Sequence, residues 1–122
     1  MSGKILTVDD SASIRLTTKV TLTNAGYEIT EATNGAEGLE KAKQGHFDLI
    51  VTDLNMPIMD GLTMIEELRK LPTHMGVPII FLTTESDADL KARAKAAGAT
   101  GWLTKPFDPE NLVKIVKKVL GR

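Results

Sequence analysis

The amino-acid sequence predicts an α/β protein, with five parallel strands in a doubly wound (βα)5 sheet between two layers of helices. The first observation is a strict alternation of short, β-branched apolar runs with longer segments of helical periodicity. The second is a glycine where two of the helices should end, at Gly26 and Gly98, since glycine accepts a left-handed conformation without steric cost. Repeated strand–helix units of this kind form parallel sheets with right-handed crossovers.

The apolar runs predict strands at 4–8, 27–31, 49–52, 78–82 and 101–103, each buried or nearly buried on both faces. The helical patterns predict helices near 12–25, 35–44, 61–70, 87–97 and 109–120. Asp108 and Pro109 suit the N-cap and first turn of the last helix. In sheets of this type the functional crevice lies at the carboxyl ends of the strands, so the residues that follow each strand decide the function.

Composition excludes several classes of protein. The 122 residues suit one domain, which we expect to span 1–122 with no output domain after the last helix. Fifteen basic and sixteen acidic side chains are nearly balanced, so we expect no nucleic-acid-binding surface across the domain. Without cysteine there are no disulfides, thiolate zinc sites or cysteine nucleophiles. The start of the chain is neither a signal peptide nor a membrane span, which predicts a cytoplasmic protein with no membrane partner.

Acidic residues follow two of the predicted strands. Asp9 and Asp10 come directly after the first strand, and Asp53 comes directly after the third. Three carboxylates in one crevice repel one another unless a cation joins them. Mg²⁺ prefers such oxygen ligands, so the sequence predicts a magnesium site there.

Hydroxyl groups and a positive charge follow the other two strands. Thr83 and Thr84 stand at the end of the fourth strand, and Lys105 comes just after the fifth. A carboxylate beside these groups can attack a phosphoryl group as a nucleophile, while the metal, threonine and lysine stabilise the charge on its oxygens. We take Asp53 as the candidate nucleophile, and Asp9 and Asp10 as the acids better placed to hold the metal.

Four segments at these strand ends are Val8-Asp9-Asp10-Ser11, Asp53-Leu54-Asn55-Met56-Pro57-Ile58-Met59-Asp60-Gly61, Thr83-Thr84-Glu85 and Lys105-Pro106-Phe107. Together they resemble the receiver domain of two-component response regulators, and among these the stand-alone chemotaxis regulators of CheY type. The resemblance runs along the whole chain. It implies a flavodoxin-like strand order 2-1-3-4-5 and a signalling protein that is phosphorylated by a histidine kinase and catalyses only its own phosphorylation and dephosphorylation.

The resemblance also implies how the acids divide their work. Asp53 would accept the phosphoryl group. Mg²⁺ would be held by Asp10, Asp53 and the main-chain carbonyl of Asn55, with Asp9 acting through water.

By the same resemblance, Thr83 would donate a hydrogen bond to the phosphoryl group and Lys105 would pair with it. The bond between Lys105 and Pro106 would be cis. Trp102, three residues before Lys105, would swing inward behind Thr83 and change the surface of the fourth helix, fifth strand and fifth helix. A protein target would bind that surface.

Three polar residues beside the site would set the lifetime of the phosphoryl group: Asn55, Thr84 and Glu85. Asn55 and Glu85 are polar, as in the chemotaxis-type receivers that this chain resembles. Thr84 is bulkier than the alanine or glycine that is common at its position in the family. We expect a short-lived phosphoryl group.

The first helix carries a further hypothesis. Its inner face is expected to hold a hydroxyl-rich set: Ile14, Thr17, Thr18, Thr21, Leu22 and Ala25. On the opposite side, Leu16 and Val20 form an apolar i, i+4 pair. They are either scattered surface aliphatics or a docking point for the kinase.

Alternative functions stay open at this point. An aspartate-nucleophile phosphatase commonly needs an acid two residues after the nucleophile, where this chain has Asn55. A degenerate receiver would lack signature residues that are present here, and nucleotide or flavin binding lacks a glycine-rich loop after the first strand. The partner could be the flagellar motor switch or another pathway, and the chain could serve as a phosphate sink or meet a phosphatase. We expect a monomer.

Overall fold

The computed structural model describes residues 3–71, 76–84 and 88–121, except the side chains of residues 88 and 90. Strands and helices alternate along these residues. The strands are β1 (Lys4–Val8), β2 (Glu28–Ala32), β3 (Leu49–Asp53), β4 (Ile79–Thr83) and β5 (Gly101–Thr104). The helices are α1 (Ala12–Asn24), α2 (Gly35–Gln44), α3 (Gly61–Leu68), α4 (Ala88–Ala96) and α5 (Pro109–Leu120). Among the described residues, no helix is long and apolar enough to span a membrane.

The five strands form one parallel sheet in the order β2-β1-β3-β4-β5, which confirms the predicted fold class and the flavodoxin-like order. β3 is the central strand. Val8 at the end of β1 pairs with Thr52 of β3, and Asp53 pairs with Leu82 of β4. This register brings the carboxyl ends of the three middle strands to one place.

Helices cover both faces of the sheet, because the strands carry apolar side chains on alternate sides. α1 and α5 cover one face, where the core consists of Ile5, Leu22, Tyr27, Leu49, Val51, Ile80, Leu82, Leu112 and Val116. The residues that α2, α3 and α4 contribute to the core of the other face are Ala42, Leu62, Met64, Ile65, Leu68 and Ala94. The protein is therefore a three-layer α/β/α sandwich.

Most element boundaries agree with prediction to within one or two residues. β2, β3, β4 and β5 each end one residue later than predicted, since Ala32, Asp53, Thr83 and Thr104 still pair with the neighbouring strand. β2 begins at Glu28, because Tyr27 donates its N–H to the carbonyl of Leu22 in the turn after α1. α1, α3 and α4 end one or two residues early, and residue 87, the predicted start of α4, lies outside the described residues.

The predicted helix boundaries are confirmed both at the glycines that end helices and at the aspartate that caps the start of the last helix. Gly26 and Gly98 have φ angles of 99° and 101°, in the left-handed region. Asp108 caps α5, where its carboxylate accepts the N–H of Glu110 at 2.9 Å.

Two burial predictions are wrong. β2 and β5 are largely half-buried, because they form the edges of the sheet, whereas β1, β3 and β4 are buried apart from Lys4. Thr17 is exposed and does not lie on the inner face of α1; its hydroxyl donates to the carbonyl of Ser13 at 3.0 Å. Thr18 and Leu22 are buried as predicted.

Candidate functional site

The turn from β1 to α1 places two carboxylates at the carboxyl end of the sheet. Asp9 is buried, with 4% of its surface exposed, and Asp10 is exposed. The main-chain N–H of Asp9 donates to Ala32, and one Asp9 carboxylate oxygen accepts the N–H of Ser11 at 2.9 Å. Ser11 is also the N-cap of α1, so the turn is short and Asp9 points into the crevice.

β3 delivers Asp53 as its last residue, 8% exposed. The carboxylate Oδ1 accepts the N–H of Leu54 at 2.8 Å, and the loop returns to α3 at Gly61. A Cβ atom on Gly61 would lie 2.1 Å from the carbonyl oxygen of Asp53, so only glycine allows this approach. The close contact holds the start of α3 against the residue that bears the central carboxylate.

The three carboxylates form one cluster. Asp9, Asp10 and Asp53 each place an oxygen within 4.8 Å of the others. Burial raises the pKa of Asp53, and the charge of Asp9 raises it further; the ammonium of Lys105 lowers it without cancelling the rise. A set of carboxylate oxygens that destabilise one another's charge fits a hard divalent cation such as Mg²⁺.

Lys105 supplies the positive charge in the crevice. Its ammonium nitrogen lies 2.7 Å from Oδ2 of Asp9 and 3.5 Å from Oδ1 of Asp53. The contact of Lys105 with Asp9 was not predicted, since the resemblance implied only a pairing with a phosphoryl group on Asp53. The peptide bond between Lys105 and Pro106 is cis, as the resemblance implied.

Of the remaining residues predicted beside the crevice, one is buried, two are exposed and one lies outside the described residues. Thr83 is fully buried at the end of β4, next to Leu82, which pairs with Asp53. Asn55 and Thr84 are exposed, and Glu85 lies outside the described residues. The crevice therefore brings together Asp9, Asp10, Asp53 and Lys105, and Thr83 lies at the same carboxyl edge of the sheet, one residue after the strand partner of Asp53.

Trp102 lies on β5 beside the same sheet face. It pairs in register with Phe81, and the two ring centroids are 6.0 Å apart. Phe81 and Thr83 are two residues apart in β4, so their side chains point to the same face. The ammonium of Lys91 lies 5.5 Å from the centroid of the indole ring. On this face of the sheet, Phe81 therefore has Thr83 next to it along β4 and the indole ring of Trp102 next to it on β5.

Leu16 and Val20 are 61% and 49% exposed, so α1 presents the predicted apolar pair outward. Val20 also borders a groove of about 470 Å³ between α1 and α5, which Pro109 and Val113 line on the other side. The groove extends the apolar surface toward α5.

Two features of the site were not predicted. The guanidinium of Arg15 donates a hydrogen bond to the main-chain carbonyl of Asp9 at 2.7 Å. Its position one turn after the N-cap Ser11 was the available signal. Ile58, in the loop after β3, has a φ of 72°, although β-branched residues avoid this conformation. No sequence pattern signalled that conformation.

Solved structures of similar chains share this fold. The chemotaxis response regulator CheY4 of Vibrio cholerae is 45% identical, with a TM-score of 0.93 over 98% of this chain and 99% of CheY4. The receiver domain of the sensor histidine kinase PA1611 of Pseudomonas aeruginosa PAO1 is 27% identical over 100% of both chains, with a TM-score of 0.91. That structure has a magnesium ion coordinated in its active site cleft.

Curated sequences are similar over the whole chain as well. The probable transcriptional regulator ycf27 of Porphyridium aerugineum is 40% identical over 119 residues, which are 98% of this chain and 48% of that protein. The chain spans about half the length of the curated relatives it matches. The model of the response regulator receiver domain matches residues 5–117. This chain therefore belongs to the family of response regulator receiver domains.

Proposed function

We propose that this chain is a phosphorylation-activated signalling protein whose Asp53 accepts a phosphoryl group from a histidine kinase. Receiver domains are phosphorylated by such kinases. The observation that carries the assignment to Asp53 is its position: a nearly buried carboxylate at the end of the central strand, with Lys105 and Asp9 beside it. Chains of this family are signalling proteins, with no turnover substrate in the usual sense.

The transfer needs one nucleophile and two stabilising groups. An oxygen of ionised Asp53 attacks phosphorus, and the bond from phosphorus to the kinase imidazole nitrogen breaks with its electron pair left on that nitrogen. Lys105 exchanges its contact with Asp9 for one with a phosphoryl oxygen. The hydroxyl of Thr83 donates to another phosphoryl oxygen.

Mg²⁺ is the cation we propose for the three-carboxylate cluster. Asp10, Asp53 and the main-chain carbonyl of Asn55 would hold it, with Asp9 acting through water. When bound, it would supply positive charge beside the phosphoryl oxygens. The oxygen-only donor set and the raised pKa of Asp53 support this assignment, since burial and the neighbouring carboxylate both disfavour the charge that a cation would neutralise.

Loss of the phosphoryl group reverses the modification. A water oxygen attacks phosphorus, the bond to Asp53 breaks, and inorganic phosphate leaves. Asn55 and Thr84, exposed beside the site, together with Glu85, would tune this rate. We expect a short lifetime, and a half-life of many hours at neutral pH with Mg²⁺ would contradict this part of the proposal.

Trp102 is the proposed link from the phosphoryl group to a partner surface. Movement of Thr83 toward the phosphoryl group vacates space on the sheet face that it shares with Phe81, the ring neighbour of Trp102. An inward indole would then alter the surface formed by α4, β5 and α5, which would bind the target.

The exposed pair on α1 is the proposed docking point for the kinase. Leu16 and Val20 lie on the helix that begins at the crevice, so a partner helix resting on them stays near Asp53. A Leu16→Ala/Val20→Ala variant should react normally with a small phosphodonor and slowly with the kinase. Normal rates with both donors would remove the docking role.

The similarity to CheY4 supports an output in chemotaxis, with the flagellar motor switch as the first candidate target. The curated relatives include probable transcriptional regulators, so membership of the family does not by itself assign a motor target. A phosphate sink or a regulator of another chemotaxis-like pathway is the second candidate. A pull-down from cell extract separates the two. A motor protein retained only by the beryllofluoride form supports the first, and no retained protein supports the sink.

Beryllofluoride, a phosphoryl mimic, tests the switch directly. Beryllofluoride with Mg²⁺ should change the fluorescence of Trp102 in the wild-type protein and leave Asp53→Asn unchanged. An unchanged wild-type signal together with no bound mimic would contradict the proposal, because both the acceptor site and the switch would then be inactive.

A further inference from the structure

The peptide group between Asp9 and Asp10 is held from α1. The Nη1 atom of Arg15 donates a hydrogen bond to the carbonyl oxygen of Asp9 at 2.7 Å. Arg15 lies in the first turns of α1, where side chains lean toward the N-terminus of the helix and hence toward this peptide. Arg15 also lines the small cavity beneath Asp9, together with Thr7 and Thr18, so its side chain is partly enclosed.

The two acids depend on this peptide to different degrees. The carboxylate of Asp9 is fixed by Ser11 and Lys105. The carboxylate of Asp10 is exposed and makes no hydrogen bond or ion pair with residues 3–71, 76–84 or 88–121. Its direction therefore depends on the main chain that carries it. The carbonyl bound by Arg15 belongs to the peptide group that leads into Asp10.

We propose that Arg15 is a positioning residue of the metal site, which aims Asp10 by holding the peptide between Asp9 and Asp10. The inference rests on the proposed function, because it assumes that Asp10 is an Mg²⁺ ligand. Mg²⁺ demands near-octahedral geometry, so a rotated peptide that displaces one ligand weakens binding. Groups that orient metal ligands typically contribute roughly 10–100-fold to metal affinity.

The positive charge of Arg15 and its hydrogen bond to Asp9 should affect Mg²⁺ affinity in opposite directions. A guanidinium near the crevice repels a divalent cation, so removal of the charge alone would tighten Mg²⁺ binding. Loss of the hydrogen bond to Asp9 would weaken it. The sign of the change in Mg²⁺ affinity therefore separates positioning from plain electrostatics.

The test compares Arg15→Met with Lys19→Met, which removes an exposed positive charge one turn further along α1. Mg²⁺ affinity is measured by titration calorimetry at constant ionic strength. We expect the Kd of Arg15→Met to rise about tenfold or more, while Lys19→Met stays at the wild-type value. A wild-type or lower Kd in Arg15→Met would overturn the proposal.

Arg15→Lys and an NMR measurement cover the possibility that Arg15→Met folds poorly. Arg15→Lys keeps the charge and a hydrogen-bond donor on a shorter side chain, so its Kd should lie below that of Arg15→Met; a Kd as high as that of Arg15→Met would count against positioning through the hydrogen bond. In metal-free protein the carbonyl ¹³C shift of Asp9 should move in Arg15→Met and not in Lys19→Met. An unmoved shift would show that no hydrogen bond existed.

Failure of this inference differs from failure of the proposed function. If the wild-type protein binds neither Mg²⁺ nor beryllofluoride, the proposed function is wrong and the inference falls with it. If the wild-type protein binds both and Arg15→Met binds Mg²⁺ equally well, only the role of Arg15 is wrong.

Discussion

The ammonium nitrogen of Lys105 lies 2.7 Å from Oδ2 of Asp9, in a nearly buried ion pair between residues that follow the first and last strands. Its distance to Asp53 is longer, at 3.5 Å. The ammonium group of Lys105 therefore neutralises part of the negative charge of Asp9 and Asp53, which a divalent cation would otherwise neutralise. In the proposed transfer it would leave Asp9 to pair with a phosphoryl oxygen.

Replacement of Lys105 by methionine should act in opposite directions on metal and phosphoryl binding. The Kd for Mg²⁺ should fall about tenfold, because a competing charge is removed from the cluster. Phosphorylation by acetyl phosphate should slow by roughly 10²-fold, because a group that stabilises the transferred phosphoryl oxygens is lost. Calorimetry and intact-protein mass spectrometry measure the two effects. Lys114→Met, at an exposed lysine of α5, is the control and should change neither quantity. A Kd for Mg²⁺ that stayed the same or rose in Lys105→Met would refute the competition between Lys105 and the cation.

Asp53→Asn should raise the thermal midpoint at neutral pH in the absence of metal. Because burial raises its pKa, Asp53 holds its proton more tightly in the folded chain than in the unfolded chain. The contribution of Asp53 to wild-type stability therefore falls as the pH rises from the ordinary aspartate value of 3.8 through the raised folded value, and the full penalty persists above it. The asparagine variant escapes this penalty.

Thermal unfolding in EDTA across the acid range measures this effect. Asp53→Asn should be more stable by a few degrees at pH 7 and should match the wild-type protein below the ordinary aspartate value. Glu28→Gln, at an exposed carboxylate of β2, is the control and should keep the wild-type midpoint at pH 7. A lower midpoint for Asp53→Asn at pH 7 would mean that the ionised Asp53 stabilises the fold.

Gly61→Ala should destabilise the protein by about 3 kcal/mol. The added Cβ would lie 2.1 Å from the carbonyl oxygen of Asp53, which is backbone and cannot move without displacing β3. Gly76→Ala is a matched control, because a Cβ there meets no atom of the described part of the chain within 4 Å. Urea denaturation should show a loss for Gly61→Ala and none for Gly76→Ala. Equal stability of the two variants would contradict the close approach.

Ile58→Asn should stabilise the protein by about 1 kcal/mol, because isoleucine at a φ of 72° is strained and asparagine tolerates this conformation. The side chain is 83% exposed, so little packing is lost. Ile58→Val keeps the β-branch and should gain nothing in the same urea experiment. A loss of stability in Ile58→Asn would show that the side chain makes contacts that outweigh the strain.

The sequence predicted the arrangement of the strand ends well, because parallel strands must bring their carboxyl ends to one edge. Asp9, Asp53 and Lys105 could be placed in one crevice from their positions after apolar runs alone. The strand order came from the resemblance to a known family, since alternation predicts a parallel sheet but not the order of its strands.

Distances within the crevice could not be predicted in this way. Whether Lys105 lies nearer to Asp9 or to Asp53 depends on how far its strand extends and on the turn that follows. The approach of Gly61 to Asp53 depends on a loop of seven intervening residues, whose path no periodicity describes. Thr17 was misplaced because threonine can satisfy its hydroxyl on its own helix, so helical spacing alone does not bury it.

Intact-protein mass spectrometry after incubation with Mg²⁺ and acetyl phosphate tests the central claim most directly. The wild-type protein should gain the mass of one phosphoryl group, borohydride reduction should locate it on Asp53, and Asp53→Asn should gain none. An unmodified wild-type protein, or an Asp53→Asn variant modified to the same extent, would contradict the account.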